Sequence, residues 1–90
     1  MRILKYKISL EGENSIALSI GAEILSIQMQ KGSICMWALE DPDATTWVRN
    51  FVVYGTGWDI GDNPGKYIGT VQDDIFVWHI FEVEGTIRGC

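Results

Sequence analysis

The residues best suited to chemistry cluster in one stretch, YGTGWDIGDNPGKYIGT, residues 54–70. It holds five of the ten glycines, one of the two prolines, two tyrosines and a tryptophan. A dinucleotide fingerprint needs G-x-G-x-x-G opening a helix, so that the helix N-terminus faces the pyrophosphate. Here Gly55, Gly57 and Gly61 are spaced G-x-G-x-x-x-G, and strand-like sequence follows. A Walker loop ends in Gly-Lys-Ser/Thr, and Gly65-Lys66-Tyr67 fails at the last position. Two readings remain. One is a hairpin loop with turns at Gly57, Gly61 and Asn63-Pro64-Gly65. The other is a binding lip, because long connections in compact domains often carry function. In that second reading Tyr54, Trp58 and Tyr67 stack on a flat ring, while Thr56 and Gly57 offer a hydroxyl and a backbone N–H to an anion. Arg49, alternating with Trp47 and Phe51, and Lys66 are the cations nearest in pattern. A guanidinium can fork onto phosphate or carboxylate, or pack its stem on an aromatic ring at an edge. The expected ligand-binding set is therefore Arg49, Tyr54, Thr56, Gly57, Trp58, Lys66 and Tyr67.

Other chemistry finds less support. His79 is the sole histidine and sits in a strongly apolar run, which favours a satisfied core or interface imidazole. Zinc needs several closely spaced His or Cys ligands, and Cys35 is a lone potential partner. The paired aspartates, Asp41/Asp43, Asp59/Asp62 and Asp73/Asp74, sit where turns are expected, and none matches a calcium-loop spacing. With no nucleophile–base pair in a suitable setting, no enzyme, metal or cofactor is expected.

The elements that must position these residues read as strands. ILKYKISL sets Leu4, Tyr6, Ile8 and Leu10 against Lys5, Lys7 and Ser9. NSIALSI sets Ile16, Leu18 and Ile20 inward, and EILSIQMQ does the same with Leu25, Ile27 and Met29. Lys31-Gly32 suits a two-residue hairpin turn. SICMWALE and IFVWHIFEV are apolar on both faces and so must be covered on both, centrally or by another subunit. The second carries Ile75, Val77, His79, Phe81 and Val83 on one face, with Asp73-Asp74 as the turn before it. The expectation is an all-β antiparallel sandwich or flattened barrel of about seven strands, one domain over 1–84 with a short tail at 85–90. A homo-oligomer is the simplest cover for surplus apolar surface.

Charge and composition narrow the partners. The chain has 90 residues, a net charge of −5 and seven scattered Lys and Arg, which argues against duplex nucleic acid. No apolar run approaches a membrane span of ~18 residues, and the N-terminal sequence lacks the features of a signal peptide. Cys35 in ICMWAL reads as a buried thiol and Cys90 as a terminal one, so no disulfide is expected.

The blocks at residues 24–28, 35–39, 41–42, 54–57, 67–70 and 79–82 (ILSIQ, CMWAL, DP, YGTG, YIGT and HIFE) resemble a family of small phage and prophage proteins of unassigned function. The resemblance runs from about residue 3 to 82. Relatives usually carry His after YGTG where this chain has Trp58, which puts metal or proton chemistry at that position in doubt. The resemblance implies a short β-rich chain of phage origin in the cytoplasm of an infected bacterium. Small non-catalytic phage proteins act on host systems or in virions. The expected function is thus capture of a small, nucleotide-like signalling molecule to counter host defence. The alternative is a protein–protein module, either a host-protein inhibitor or a minor virion component.

Overall fold

A computed structural model describes residues 1–84; the tail expected at 85–90 lies outside the described residues. Seven strands follow in order: β1 (Arg2–Ile8), β2 (Asn14–Ser19), β3 (Glu23–Gln30), β4 (Ser33–Glu40), β5 (Thr46–Gly55), β6 (Lys66–Asp73) and β7 (Phe76–Val83). They form a three-stranded sheet, β1-β4-β3, and a four-stranded sheet, β2-β5-β7-β6, with every pairing antiparallel. Among the described residues the two sheets stay separate, so the fold is the sandwich and not the barrel. Lys31 and Gly32 both adopt positive φ (52° and 80°), as a two-residue type I′ turn requires between β3 and β4.

The strands that are apolar on both faces take the inner places, β4 between β1 and β3, and β7 between β5 and β6. Their core-facing residues Ile34, Met36, Ala38 and Ile80 join Ile8, Leu18, Phe51, Val53 and Val71 in one cluster between the sheets. Phe51, Leu18, Met36 and Ile80 are fully buried. On the opposite face of β4, Cys35 is also buried, as a free thiol.

Three local expectations are corrected. Leu25 does not share a face with Ile27 and Met29. The β3–β4 register shifts between Ile24 and Ser26, so Ile24 packs against the core and Leu25 is left 44% exposed. Ile75 is not a strand residue. Asp73 pairs with Phe76, which puts the β6–β7 turn at Asp74-Ile75, with Asp74 at φ 57° and Ile75 79% exposed. Leu10 and Ile20 lie beyond the ends of β1 and β2, Leu4 lies within β1, and all three are exposed.

A buried carboxylate ties the sheets together at one corner. Glu40, 5% exposed at the end of β4, accepts hydrogen bonds from the Tyr6 hydroxyl and from the Ser19 backbone N–H at 2.9 Å. Ser19 Oγ in turn accepts from the Asp41 N–H at 3.2 Å. Burial first, then the hydrogen bond to Glu40 and its charge, push the Tyr6 phenol up to about 12. A phenol that holds its proton more tightly when folded contributes stability that is complete below its unfolded value of about 10 and is lost as pH rises through the folded value. Denaturant titrations from about pH 9 to about pH 12 should therefore show an alkaline loss of stability that Tyr6→Phe reduces. An equal loss in that variant would assign the slope to another group.

Candidate binding cleft on the four-stranded sheet

The stretch at 54–70 does not close a hairpin. β7 lies between β5 and β6, which makes those two strands parallel. Gly55 pairs with Trp78, whereas Lys66 pairs with Glu82, four residues further along β7. The connection at 56–65 must therefore run back about 13 Å and sideways about 10 Å. Its reach of roughly 33 Å is enough. This is why the connection is so long: two parallel strands on either side of a third need a crossover, not a turn.

Glycines fit this crossover to the sheet at both ends. At its start the Trp58 N–H donates to the Gly55 carbonyl at 3.2 Å, with Gly57 at φ 87°. The Trp58 indole lies against Gly55, where a Cβ would sit 2.7 Å from the ring, and meets Trp78 edge-on at 5.9 Å. At its end Gly65, φ 98°, passes so close to β7 that a Cβ would stand 2.4 Å from the Glu82 carbonyl oxygen. Between them Asp59 accepts from the Gly61 N–H at 3.0 Å, and the Tyr54 hydroxyl reaches the Pro64 carbonyl at 3.5 Å.

Under the crossover, strand register gathers polar side chains on the outer face. Tyr54, His79 and Thr70 stand in one row across β5, β7 and β6, and Val52, Phe81 and Tyr67 in the next. Phe81 takes both tyrosines, with ring centroids 5.4 Å from Tyr54 and 5.6 Å from Tyr67. His79 is held at both nitrogens, Nε2 2.7 Å from Thr56 Oγ1 and Nδ1 3.1 Å from Thr70 Oγ1. Thr70 Oγ1 is also 2.6 Å from the Tyr67 hydroxyl. Tyr54, Thr56, Gly57, Trp58 and Tyr67 thus line one open cleft of about 270 Å³, together with Ile60, His79 and Phe81.

Arg49 and Lys66 fall outside that cleft. They border a neighbouring one, of about 370 Å³, with Tyr67 between the two. Arg49 is already engaged. Its Nε and Nη2 fork onto the Glu82 carboxylate at 2.7 and 2.8 Å, and Nη1 donates to the Ala22 carbonyl at 2.8 Å. The Arg49 hydrogen bonds hold the Glu82 carboxyl below its ordinary range against the opposing effect of burial, with smaller help from the charges of Arg49 and Lys66. The pair raises Arg49 correspondingly.

Two residues of the cleft network were not singled out from sequence. The structure places His79 half-buried on the outer face of the sheet and not in the core. Its alternation with Ile80 left both faces open, and only the order of strands decides between them. Thr70 closes the YIGT block and carries no signal until β6 is set beside β7.

Among the described residues no three His, Cys, Asp or Glu side chains are grouped to hold a metal ion. Also among them, no helix is long and apolar enough to cross a membrane.

Fold and site together define a two-sheet β-sandwich with a crossover loop lying over a hydroxyl-, imidazole- and ring-lined cleft. The chain belongs to a family described as a domain of unknown function (DUF7352), whose model matches residues 1–88. No curated protein and no solved structure matches it.

Proposed function

We propose that this is a non-enzymatic binding protein that captures a small molecule in the outer-face cleft. One observation carries the reading: five residues chosen for their chemistry, Tyr54, Thr56, Gly57, Trp58 and Tyr67, converge on a single concavity beside His79. A cleft with aromatic walls and a few fixed polar groups is the usual form of a small-molecule site. The resemblance to phage and prophage proteins supplies the setting. The protein is phage-encoded, acts in the cytoplasm of the infected bacterium, and counters host defence by sequestering a small signalling molecule of nucleotide type. It works as a homo-oligomer, the simplest cover for exposed large hydrophobics such as Ile3, Trp47, Val48, Ile75 and Phe76.

Native mass spectrometry of protein purified from signal-producing bacteria tests this. The expected spectrum shows an oligomer carrying a small-molecule adduct that denaturation releases. Apoprotein at every oligomeric state contradicts it.

A second reading, a protein–protein module, is favoured by a different observation. Trp58, Ile75, Phe76 and Trp78 line an apolar cleft of about 480 Å³ at the tip of the β6–β7 hairpin. Exposed aromatic anchors of this kind dominate protein interfaces. Recovery of one host protein in stoichiometric amount, lost in Phe76→Ala, is the result that favours it over capture.

A further inference from the structure

The make-up of the cleft wall limits what it can recognise. None of its lining residues is Asp, Glu, Lys or Arg. In the crossover the Asp59 carboxylate is turned to the Gly61 N–H. The Arg49 guanidinium, the expected phosphate partner, has Nε and Nη2 on Glu82 and Nη1 on the Ala22 carbonyl. Lys66 lines the neighbouring cleft. The chain as a whole carries −5, so a polyanion gains no long-range attraction.

What the cleft does offer is rings and hydroxyls. Tyr54 and Tyr67 flank Phe81, and Tyr67 is 55% exposed. Gly57 has nothing within 4 Å of where a side chain would begin, so a flat group can approach the backbone there. On the cleft wall Thr56 Oγ1 meets His79 Nε2 at 2.7 Å, which fixes a hydroxyl beside the imidazole for a ring edge to bond. Thr70 Oγ1 is taken up by His79 Nδ1 and the Tyr67 hydroxyl and serves to hold both in place. A volume of about 270 Å³ lies below the roughly 300–1,000 Å³ of sites that enclose whole drug-sized ligands.

Building on the proposed capture function, we infer that the cleft recognises an uncharged planar heteroaromatic ring with donors and acceptors on its edge, of nucleobase size, and leaves any phosphate of the ligand in solvent. Stacking on tyrosine supplies the affinity, and Thr56 with His79 supplies the choice of ring. Phosphates add little because, among the described residues, the cleft wall holds no lysine or arginine to meet them.

Isothermal titration of the full chain with adenosine, guanosine, cytidine and uridine, and with their mono- and triphosphates, tests the inference. At least one nucleoside should bind, and its phosphorylated forms should match it within about threefold. Raising salt from about 50 mM to about 500 mM should change that affinity by less than about threefold, since the contacts are not ionic. Thr56→Val, which keeps shape and removes an exposed hydroxyl of the cleft wall, should weaken the nucleoside about tenfold with little change in melting temperature. A tenfold or larger gain on phosphorylation, or a steep loss with salt, overturns the inference while leaving capture itself standing. Binding by none of these compounds also overturns it. Capture then falls as well if protein from signal-producing bacteria carries no adduct.

Discussion

Replacing Arg49 with methionine is expected to lower stability by about 2–3 kcal/mol, because it strands a carboxylate that the fold has partly withdrawn from water. Both side chains are about one-fifth exposed, 19% for Arg49 and 20% for Glu82. That places the pair between a surface ion pair, worth up to about 1 kcal/mol, and a fully buried one, whose breakage costs about 3–5 kcal/mol. The bidentate geometry and the third bond to the Ala22 carbonyl favour the upper half of that span. In a domain of this size the melting temperature should fall by roughly 10–20 °C. Methionine keeps an unbranched apolar stem and removes the guanidinium, which also lies 6.0 Å from the Phe51 ring centroid, so the loss reports the charged group with its hydrogen bonds and that contact.

The acid limb carries the sign. The Glu82 carboxyl is held below its ordinary value in the folded chain. Its contribution is therefore full above the unfolded carboxylate value of about 4.3 and is lost as pH falls through the folded value. Wild-type stability should drop over that acid range, and Arg49→Met should flatten the drop. The double variant Arg49→Met/Glu82→Leu should recover much of the loss, since an apolar pair leaves no stranded charge. A single variant as stable as wild type would mean that the fork contributes nothing to holding β5, β7 and the β2–β3 connection together.

The second large effect is at Gly65. Substitution by alanine should cost about 3 kcal/mol, from two sources that add. Positive φ, here 98°, costs an L-residue roughly 1–2 kcal/mol. The new Cβ, 2.4 Å from the Glu82 carbonyl oxygen and 2.9 Å from Val83, forces backbone apart where no flexible side chain can yield, at roughly 1–3 kcal/mol. Gly57→Ala separates the two. Its φ is 87° and its surroundings are open, so it should cost only about 1 kcal/mol. Equal costs at both positions in equilibrium unfolding would show that the crossover does not press on β7 as described. Lifting it at Gly65 should also loosen the cleft, so ligand capture should fall in Gly65→Ala.

Much of this architecture was legible along the chain, because alternation and turn chemistry are local. The Lys31-Gly32 turn needs only two adjacent residues. The double-sided apolar character of SICMWALE and FVWHIFEV places those strands inside their sheets whatever the order of the rest. What depends on strand order was not legible. Residues 56–65 look like a hairpin loop until β7 is found between β5 and β6. His79 and Thr70 become neighbours only through that pairing. Arg49 is matched by Glu82, 33 residues away and outside any motif. Bulges at Ile24/Ser26 and Tyr67/Gly69 interrupt the simple alternation without a local signature.

The central claim is that the outer-face cleft, and no other surface, holds the captured molecule. Native mass spectrometry of wild-type and Thr56→Val proteins, purified side by side from the same signal-producing bacteria, measures it most directly. Wild type should retain the small-molecule adduct, and Thr56→Val, which removes a hydroxyl of the cleft wall, should retain about tenfold less with little change in melting temperature. Equal occupancy in the two proteins would place the ligand elsewhere, and an adduct in neither would contradict capture altogether.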